Sequence, residues 1–259
     1  MKQLRGVAGI ILIVLLMSIP VAASEVYMPH LTGGAAVWGD YLTVDNTGQA
    51  SATVTVVLYG DTGNLLYSGP HTIPALGESV IDLKQLSSVA QTGKVVYSGS
   101  NLNFRLSVLN IAAGGVAEFC LSGSQANILG FYFSDFESVV DWKGIALANY
   151  GAVAAPVTLY ALGGGVVLGT ASITVAPHNK KVGLHSTWFP SLAMNDVKKI
   201  IAVSSVDTMG GIAIASNAAS SGILFTAAVP MESFSPRAQT EEFAGIYPVE
   251  ELVRSGKES

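Results

Sequence analysis

The chain has 259 residues, of which half are hydrophobic and 12% are charged, and its formal net charge is −5. An average soluble domain has about 25% charged residues, so this protein is poor in charge. No basic patch or stripe is visible, which argues against a nucleic-acid-binding protein. The length suffices for one large domain or two small ones, each with its own core.

The first predicted element is a secretory signal peptide over residues 1–24. Basic residues precede an apolar run over residues 7–17, and small residues follow at a cleavage position near Ala23 or Ser24. The alternative is an uncleaved membrane anchor, but the run is shorter than the roughly 20 residues of a spanning helix. We therefore expect a protein exported to the periplasm, the cell surface or the extracellular space, with no membrane span after cleavage.

From Glu25 onward the sequence is typical of short strands and turns, and it repeats. The stretch WGDYLTVDNTG begins at Trp38, and the similar stretch WKGIALANYG begins at Trp142, about a hundred residues later. A period of this length suits a whole domain. We predict an all-β chain with two tandem β-sandwich modules, over residues 25–126 and 127–230.

The two copies can be aligned strand by strand. Leu42 and Val44 alternate with polar neighbours, which is the period-two pattern of a strand with one buried face. Further along, Leu106-Ser107-Val108 aligns with Ile212-Ala213-Ile214. Because each copy has its own core positions, we expect each module to fold alone. Trp38 and Trp142 are each expected to plug their own sandwich, with a ligand platform as the alternative.

Turns are predicted at Asn46-Thr47-Gly48, at Asn149-Tyr150-Gly151, at residues 61–64 and at residues 163–165. Asn, Asp and Gly tolerate the positive φ that such turns need. Two short helical pieces, near residues 83–89 and 186–194, occupy similar places in the two halves.

The first copy reads Y-x-P-H from Tyr27, then W-x-x-x-L-x-V-x-N from Trp38, then an alternating strand that ends in Leu58-Tyr59. This pattern resembles immunoglobulin- or fibronectin-type β-sandwich modules that occur in tandem in exported bacterial proteins, mostly without an assigned function. The resemblance covers residues 25–230 and implies export and a sandwich fold, but no catalytic residues. The second copy departs from it, because Ser134-Asp135 replaces Pro29-His30.

After the second module the composition changes. Residues 231–259 are rich in charge, with Pro and Ser among them, and are predicted to form a flexible tail that folding does not need. Residues 243–247 form an apolar island there, for which a short docking segment is the alternative. Cys120 is the only cysteine, so it cannot form an internal disulfide; it is either a solitary thiol or half of an intermolecular bridge.

Several motifs resemble catalytic or metal-binding sites, but each has a simpler structural explanation. Asp61-Thr62-Gly63 matches the loop of aspartic proteases, but that mechanism needs a second carboxylate from the other lobe, and no second Asp-Thr/Ser-Gly exists. We interpret the triplet as a hairpin turn. The acidic residues at 135, 137 and 141 lack the spacing of a calcium loop. The histidines show no metal-ligand spacing; they are His30, His71, His178 and His185. We predict no catalytic residue, no cofactor and no metal.

Trp188 and Phe189, followed by proline, are the best candidates for exposed aromatic side chains and therefore for a weak ligand contact. The simpler interpretation is a hydrophobic cap over one end of the second sandwich. If exposed, the pair could stack on a sugar ring or a peptide.

The sequence favours a non-enzymatic exported protein that acts in surface assembly, adhesion or protein–protein contact, with an envelope or surface protein or a second copy as its partner. A carbohydrate-binding protein that uses Trp188 and its neighbours is the alternative. Some contacts are expected along strand edges, because the strands over residues 153–161, 210–217 and 221–229 carry no charge. Pairing inside a sheet would instead protect them.

Overall fold

The computed structural model describes residues 23–111, 115–133, 142–217 and 222–234. Over these residues the protein is all-β, as predicted. The first half contains one single-turn helix and these elements: β1 (Ser24–Met28), β2 (Trp38–Asn46), β3 (Ala52–Tyr59), β4 (Leu65–Ile73), β5 (Gly77–Asp82), α1 (Leu83–Leu86), β6 (Thr92–Tyr97), β7 (Leu102–Asn110) and β8 (Gly115–Cys120).

The second half repeats this series and adds a final short strand. Its elements are β9 (Ile128–Tyr132), β10 (Trp142–Asn149), β11 (Ala155–Gly163), β12 (Val166–Val175), β13 (Asn179–Leu184), α2 (His185–Trp188), β14 (Lys199–Ser204), β15 (Met209–Asn217), β16 (Gly222–Ala227) and β17 (Val229–Pro230). Both helices are one turn long, shorter than predicted.

Each half consists of two open sheets. The first half has the strand orders β1-β6-β3-β4 and β5-β2-β7-β8. The second half has β17-β9-β14-β11-β12 and β13-β10-β15-β16, so the equivalent strands occupy the same places. The repeated sequence therefore folds into a repeated topology.

Each half also has its own hydrophobic core. The first core includes these fully buried side chains: Met28, Leu42, Leu58, Ile73 and Leu106. The second core includes Phe131, Leu147, Leu159, Val175 and Ile200. Burying a large aliphatic side chain stabilises a fold by about 1.5–3 kcal/mol, so these two clusters are the main source of stability.

The first Asn-x-Gly turn is organised by the asparagine side chain. Asn46 is buried, and its Nδ2 donates hydrogen bonds to the carbonyl oxygens of Ala50, at 2.9 Å, and Pro74, at 3.0 Å. Its Oδ1 accepts a hydrogen bond of 2.9 Å from the backbone N–H of Gly48. One side chain thus ties the β2–β3 turn to the β4–β5 connection.

The second half repeats this arrangement. The Nδ2 of Asn149 donates to the carbonyl oxygens of Val153, at 2.7 Å, and Val175, at 3.2 Å. Its Oδ1 accepts from the backbone N–H of Gly151 and from Thr208 Oγ1, each at 2.9 Å. The sequence therefore indicated these two turns correctly.

The reason given for these two turns, a positive φ, is wrong. Neither Asn-x-Gly turn contains a residue with positive φ, because the asparagine side chain rather than a left-handed backbone closes the turn. Positive φ does occur in the other predicted turns, at Gly63 (76°), Gly164 (58°) and Gly165 (80°). It also occurs at Leu76 (50°) and His178 (49°), which follow β4 and β12 at equivalent places.

The alignment of β7 with β15 needs a correction of one residue. The two buried asparagines stand opposite Leu102 and Met209, so Leu106 corresponds to Ala213 and not to Ile212. Ala213 lies in the second core, whereas Ile212 lies in a separate cluster. A shift of one residue along a strand exchanges its two faces. The isoleucines of β15 therefore point away from the second core, whereas the alignment had matched Ile212 with the core residue Leu106.

The predicted tail begins with residues that pack on the second half. β17 pairs with β9, and Met231 and Phe234 contact an apolar cluster that includes Ile201 and Leu162. The ring of Phe234 lies 4.9 Å from that of Tyr160. Residues 231–234 are thus docked, which moves the start of any flexible tail beyond Phe234. Residues 235–259, with the apolar island, lie outside the described residues.

Of the three uncharged strands singled out in the sequence, two are central. β11 lies between β12 and β14, and β15 lies between β10 and β16. Their backbone groups are therefore paired on both sides. β16 is at an edge of its sheet and lies beside β8 of the first half.

Candidate functional site

The two halves meet through an apolar cluster between the sheets β5-β2-β7-β8 and β13-β10-β15-β16. Its buried members are Ala117, Ala146, Ile212 and Ile214. Trp38, Phe119 and Trp142 pack against them. Trp142 belongs to this junction and not to the core of its own half, while Trp38 contacts both the junction and the first core. The predicted role of the tryptophans as plugs of separate sandwiches thus holds only partly for Trp38.

A cleft of about 310 Å³ opens beside this cluster. Trp38 and Trp142 form two of its walls, and Val182 and Leu184 of the edge strand β13 line it as well. The exposed fractions of these two side chains are 46% and 42%, so hydrocarbon surface faces solvent at the cleft. We call this site the junction cleft.

The junction cleft has one polar side, formed by His30 and Thr32. Lys180 Nζ contacts His30 Nδ1 at 2.9 Å and donates a hydrogen bond to the carbonyl oxygen of Leu31. Asp40, which is 2% exposed, accepts hydrogen bonds from the backbone N–H of Thr32, at 3.0 Å, and from its Oγ1, at 2.8 Å. Two polar groups of the first half, on His30 and Leu31, therefore contact the ammonium group of Lys180 from the second.

Burial dominates the titration of these groups. It lowers the pKa of Lys180 to about 7, although Asp40 acts in the opposite direction. It raises the pKa of Asp40, although hydrogen bonds from Thr32 and the charges of Lys84 and Lys180 oppose the shift. Burial and the charge of Lys180 hold the pKa of His30 well below its usual value. Transfer from water into the junction thus disfavours the charged form of each group.

Two pairs of equivalent positions carry opposite charges in the two halves. Counted from the two buried asparagines, Asp40 of the first half corresponds to Lys143 of the second. On the neighbouring strands, Glu78 corresponds to Lys180. Lys143 donates a hydrogen bond to the carbonyl oxygen of Val197 within its own half. The first half thus supplies the carboxylate of the junction and the second half supplies the ammonium group.

A second contact holds the halves together next to the junction cleft. The ring of His178 stacks on that of Tyr59, with centroids 4.8 Å apart and planes 10° from parallel. Thr92 Oγ1 donates a hydrogen bond of 3.2 Å to the carbonyl oxygen of His178, and Asn179 Nδ2 donates to the carbonyl oxygen of Asp61. The equivalent of His178 in the first half is Leu76, whose side chain is 72% exposed.

We predict that Lys180 makes stability depend on pH in the alkaline range. Its pKa is about 7 in the folded protein and ordinarily 10.5, so between these values the unfolded chain binds more protons. Stability should therefore rise from pH 7 to pH 10, by at most about 1.4 kcal/mol per pH unit. Denaturant unfolding at several pH values measures this slope for the wild type and for Lys180→Met. The exposed neighbour Lys181→Met is the control. An equal slope in all three proteins would contradict the prediction.

The aromatic pair proposed from the sequence is packed rather than exposed. Phe189 is 3% exposed, and Trp188 is partly buried against the second core. The indole ring lies so close to Gly183 that a Cβ there would be 2.3 Å from it. These side chains cover one end of the second core, which corrects their assignment as exposed aromatics.

The other candidate residues do not converge on one site. His185 is buried and lies 3.1 Å from the carbonyl oxygen of Leu192, while His71 lies 3.1 Å from the hydroxyl of Tyr67. Within residues 23–111, 115–133, 142–217 and 222–234, no group of three or more His, Cys, Asp or Glu side chains could hold a metal ion. Cys120 is exposed on β8. The acidic residues at 135, 137 and 141 lie outside the described part of the chain.

Sequence reasoning identified both tryptophans of the junction cleft but missed its polar side. Asp40 lies two residues after Trp38 but Lys143 lies one residue after Trp142, so an alignment of the two tryptophans does not bring these positions together. Their equivalence appears only when both stretches are counted back from Asn46 and Asn149. Nothing in the sequence indicated that Lys180 reaches His30, because their contact joins residues 150 positions apart.

Among the described residues, no helix has the length and apolar character needed to cross a membrane. No protein-family model matches the sequence, and no curated protein matches it either. The solved structure titled "Crystal Structure of Thermotoga maritima 1070" is similar at 14% identity, over 38% of this chain and 92% of that one, with a TM-score of 0.32. A similarity at this level carries no argument about function.

Proposed function

We propose that the protein is a non-enzymatic, exported interaction protein that binds a partner of the cell envelope or surface through the junction cleft. The proposal includes cleavage of the signal peptide near Ser24 and two immunoglobulin-like modules over residues 25–126 and 127–230. The lining of the cleft supports it. Two indole rings and two partly exposed aliphatic side chains surround a cavity that is large enough for an apolar side chain.

The low charge of the chain supports contact by burial of apolar surface. Binding at the junction cleft would cover the hydrocarbon surface of Val182 and Leu184 and leave few ions to pair. Such an interaction depends little on salt, because screening acts on charges. The cleft lining offers one imidazole and one hydroxyl among apolar groups, which favours recognition over acid–base catalysis.

The test is whether purified residues 24–259 capture a partner from the cell envelope. The captured partner is identified, and it should in turn capture this protein at high salt. The matched variants are Val182→Glu in the junction cleft and Val80→Glu at the equivalent position of β5. Val80 is 59% exposed, so both changes add a charge to an exposed valine. We expect binding to be lost with Val182→Glu and kept with Val80→Glu.

Three outcomes would overturn this proposal. Equal binding by both variants would place the contact elsewhere. Binding to a glycan array that is lost in Trp142→Ala would identify a carbohydrate-binding protein instead. Turnover of generic ester, peptide or glycoside substrates that tracks with the purified protein would identify an enzyme.

A further inference from the structure

The edge strands of the described sheets differ in how they are protected. Charged side chains and prolines discourage pairing at an exposed edge. Five edge strands carry such residues: β4 has Pro70, β5 has Glu78 and Asp82, β8 has Glu118, β13 has Lys180 and Lys181, and β17 has Pro230. β1 is short and contains Glu25, and β16 lies beside β8. β12 has ten residues with neither charge nor proline, and only β11 pairs with it among the described strands.

β12 differs from the equivalent edge strand β4 at one residue that would block pairing, since serine replaces proline there. Pro70 stands opposite Thr55 in the first half, and Ser172 stands opposite Thr158 in the second. The two positions are equivalent, because each lies three residues before the end of its strand, at Ile73 and Val175. Proline lacks an N–H, so inside a sheet it occupies positions whose N–H would point to the free edge. By this equivalence, the N–H of Ser172 points away from β11.

We propose that β12 pairs with β12 of a second copy of this chain, antiparallel about a twofold axis at Ser172. The two five-stranded sheets then join into one continuous sheet. Thr170 faces Thr174 of the second copy, and Ala171 faces its Ile173. The proposal goes beyond the proposed function, because its partner is a second copy of this chain and its surface is not the junction cleft.

Three properties of β12 favour a copy of itself over another partner. An antiparallel pair of identical strands is self-complementary, which is the requirement for a closed twofold dimer. No charge is brought against a like charge, and threonine pairs across strands are favourable. A register shift between Ala161 and Leu162 leaves the run from Gly169 to Val175 regular. This run can form about six backbone hydrogen bonds with its copy.

The dimer would also cover the margin of the second core. Ala171 and Ile173 of β12 are partly buried and pack against that core. A second strand beside them would remove more of their surface from water. Thr170, Ser172 and Thr174 are exposed on the opposite face, so their hydroxyl groups would stay in contact with solvent.

The test is sedimentation velocity of residues 24–259 over a range of concentrations at low and high salt. The wild type should be dimeric at both salt concentrations. Ser172→Pro copies the proline of β4 and should weaken self-association at least tenfold while the fold, followed by circular dichroism, is kept. Ser172→Thr retains the N–H and should stay dimeric. If Ser172→Pro does not fold, the same measurement is made on Ser172→Lys. This variant should also lose self-association, because the dimer would place two ammonium groups opposite each other.

Hydrogen exchange gives a second measurement at the same surface. The amides of Thr170, Ser172 and Thr174 should exchange more slowly as the protein concentration rises, and this dependence should vanish in Ser172→Lys. A wild type that is monomeric at all concentrations would overturn the inference, and so would a dimer that both charged and proline variants leave intact. Partner capture at the junction cleft is scored separately with Val182→Glu, so failure of one proposal is distinguishable from failure of the other.

Discussion

Replacement of Ile212 by lysine is expected to lower the free energy of unfolding by about 4 kcal/mol or more. Ile212 is fully buried, and it contacts the apolar cluster between the two halves, where an ammonium group would find little water. Lysine must then either lose its charge or force the halves apart. Chemical denaturation of both proteins at neutral pH measures the loss.

The matched control is Thr158→Lys. Thr158 lies on the central strand β11 and is partly exposed, so its ammonium group can reach solvent. We expect this change to cost within about 0.5 kcal/mol, as for most surface substitutions. Equal stability of the two lysine variants would show that the junction does not contribute to folding. It would support the prediction from the sequence that each module folds alone.

Replacement of Asn149 by alanine is expected to cost about 3 kcal/mol or more, and Asn46→Ala a similar amount. Each change removes several hydrogen bonds between the asparagine and backbone groups, most of them partly buried, and leaving a buried group unsatisfied costs about 1–3 kcal/mol. Both asparagines are buried, at 0% and 4% exposure respectively. Thermal and denaturant unfolding measure the effect.

Asn103→Ala is the control for these variants, because Asn103 is exposed on β7. Asn149→Asp adds a sharper comparison, since it keeps an acceptor for Gly151 but removes the donor to Val153 and Val175. It should destabilise at least as much as alanine at neutral pH, because a charge is also buried. Unfolding of all four variants at the same midpoint would show that the asparagine hydrogen bonds have little effect on stability.

The repeat was predictable because local patterns encode it. Period-two alternation and Asn-x-Gly turns depend only on neighbouring residues, and both recur at the same places in each half. The hydrogen bonds of Asn46 were harder to predict, since one of them goes to Pro74, 28 residues away in the sequence. The sequence therefore located these turns but misidentified what closes them.

The contact between the two halves could not be predicted from the sequence, because β15 is apolar on both faces. In its run Gly-Gly-Ile-Ala-Ile-Ala-Ser-Asn, alanine faces the core and isoleucine faces the other half. The alignment of Leu106 with Ile212 is therefore off by one residue. The contact of Phe234 was not predicted either, because this residue lies in a charged stretch that was assigned to the flexible tail. Its ring nevertheless packs against that of Tyr160. Only the tertiary contacts of these residues distinguish the alternatives.

The reversed charges of the junction also bear on how neighbouring chains avoid one another during synthesis. Tandem domains of similar structure are prone to misassembly between nascent chains. A docking between two first halves would set Asp40 near Glu78, which stands where Lys180 stands in the second half. Such a pairing brings two carboxylates together, whereas in the structure Asp40 is influenced by the charge of Lys180. We therefore expect the charge difference to disfavour docking between two first halves.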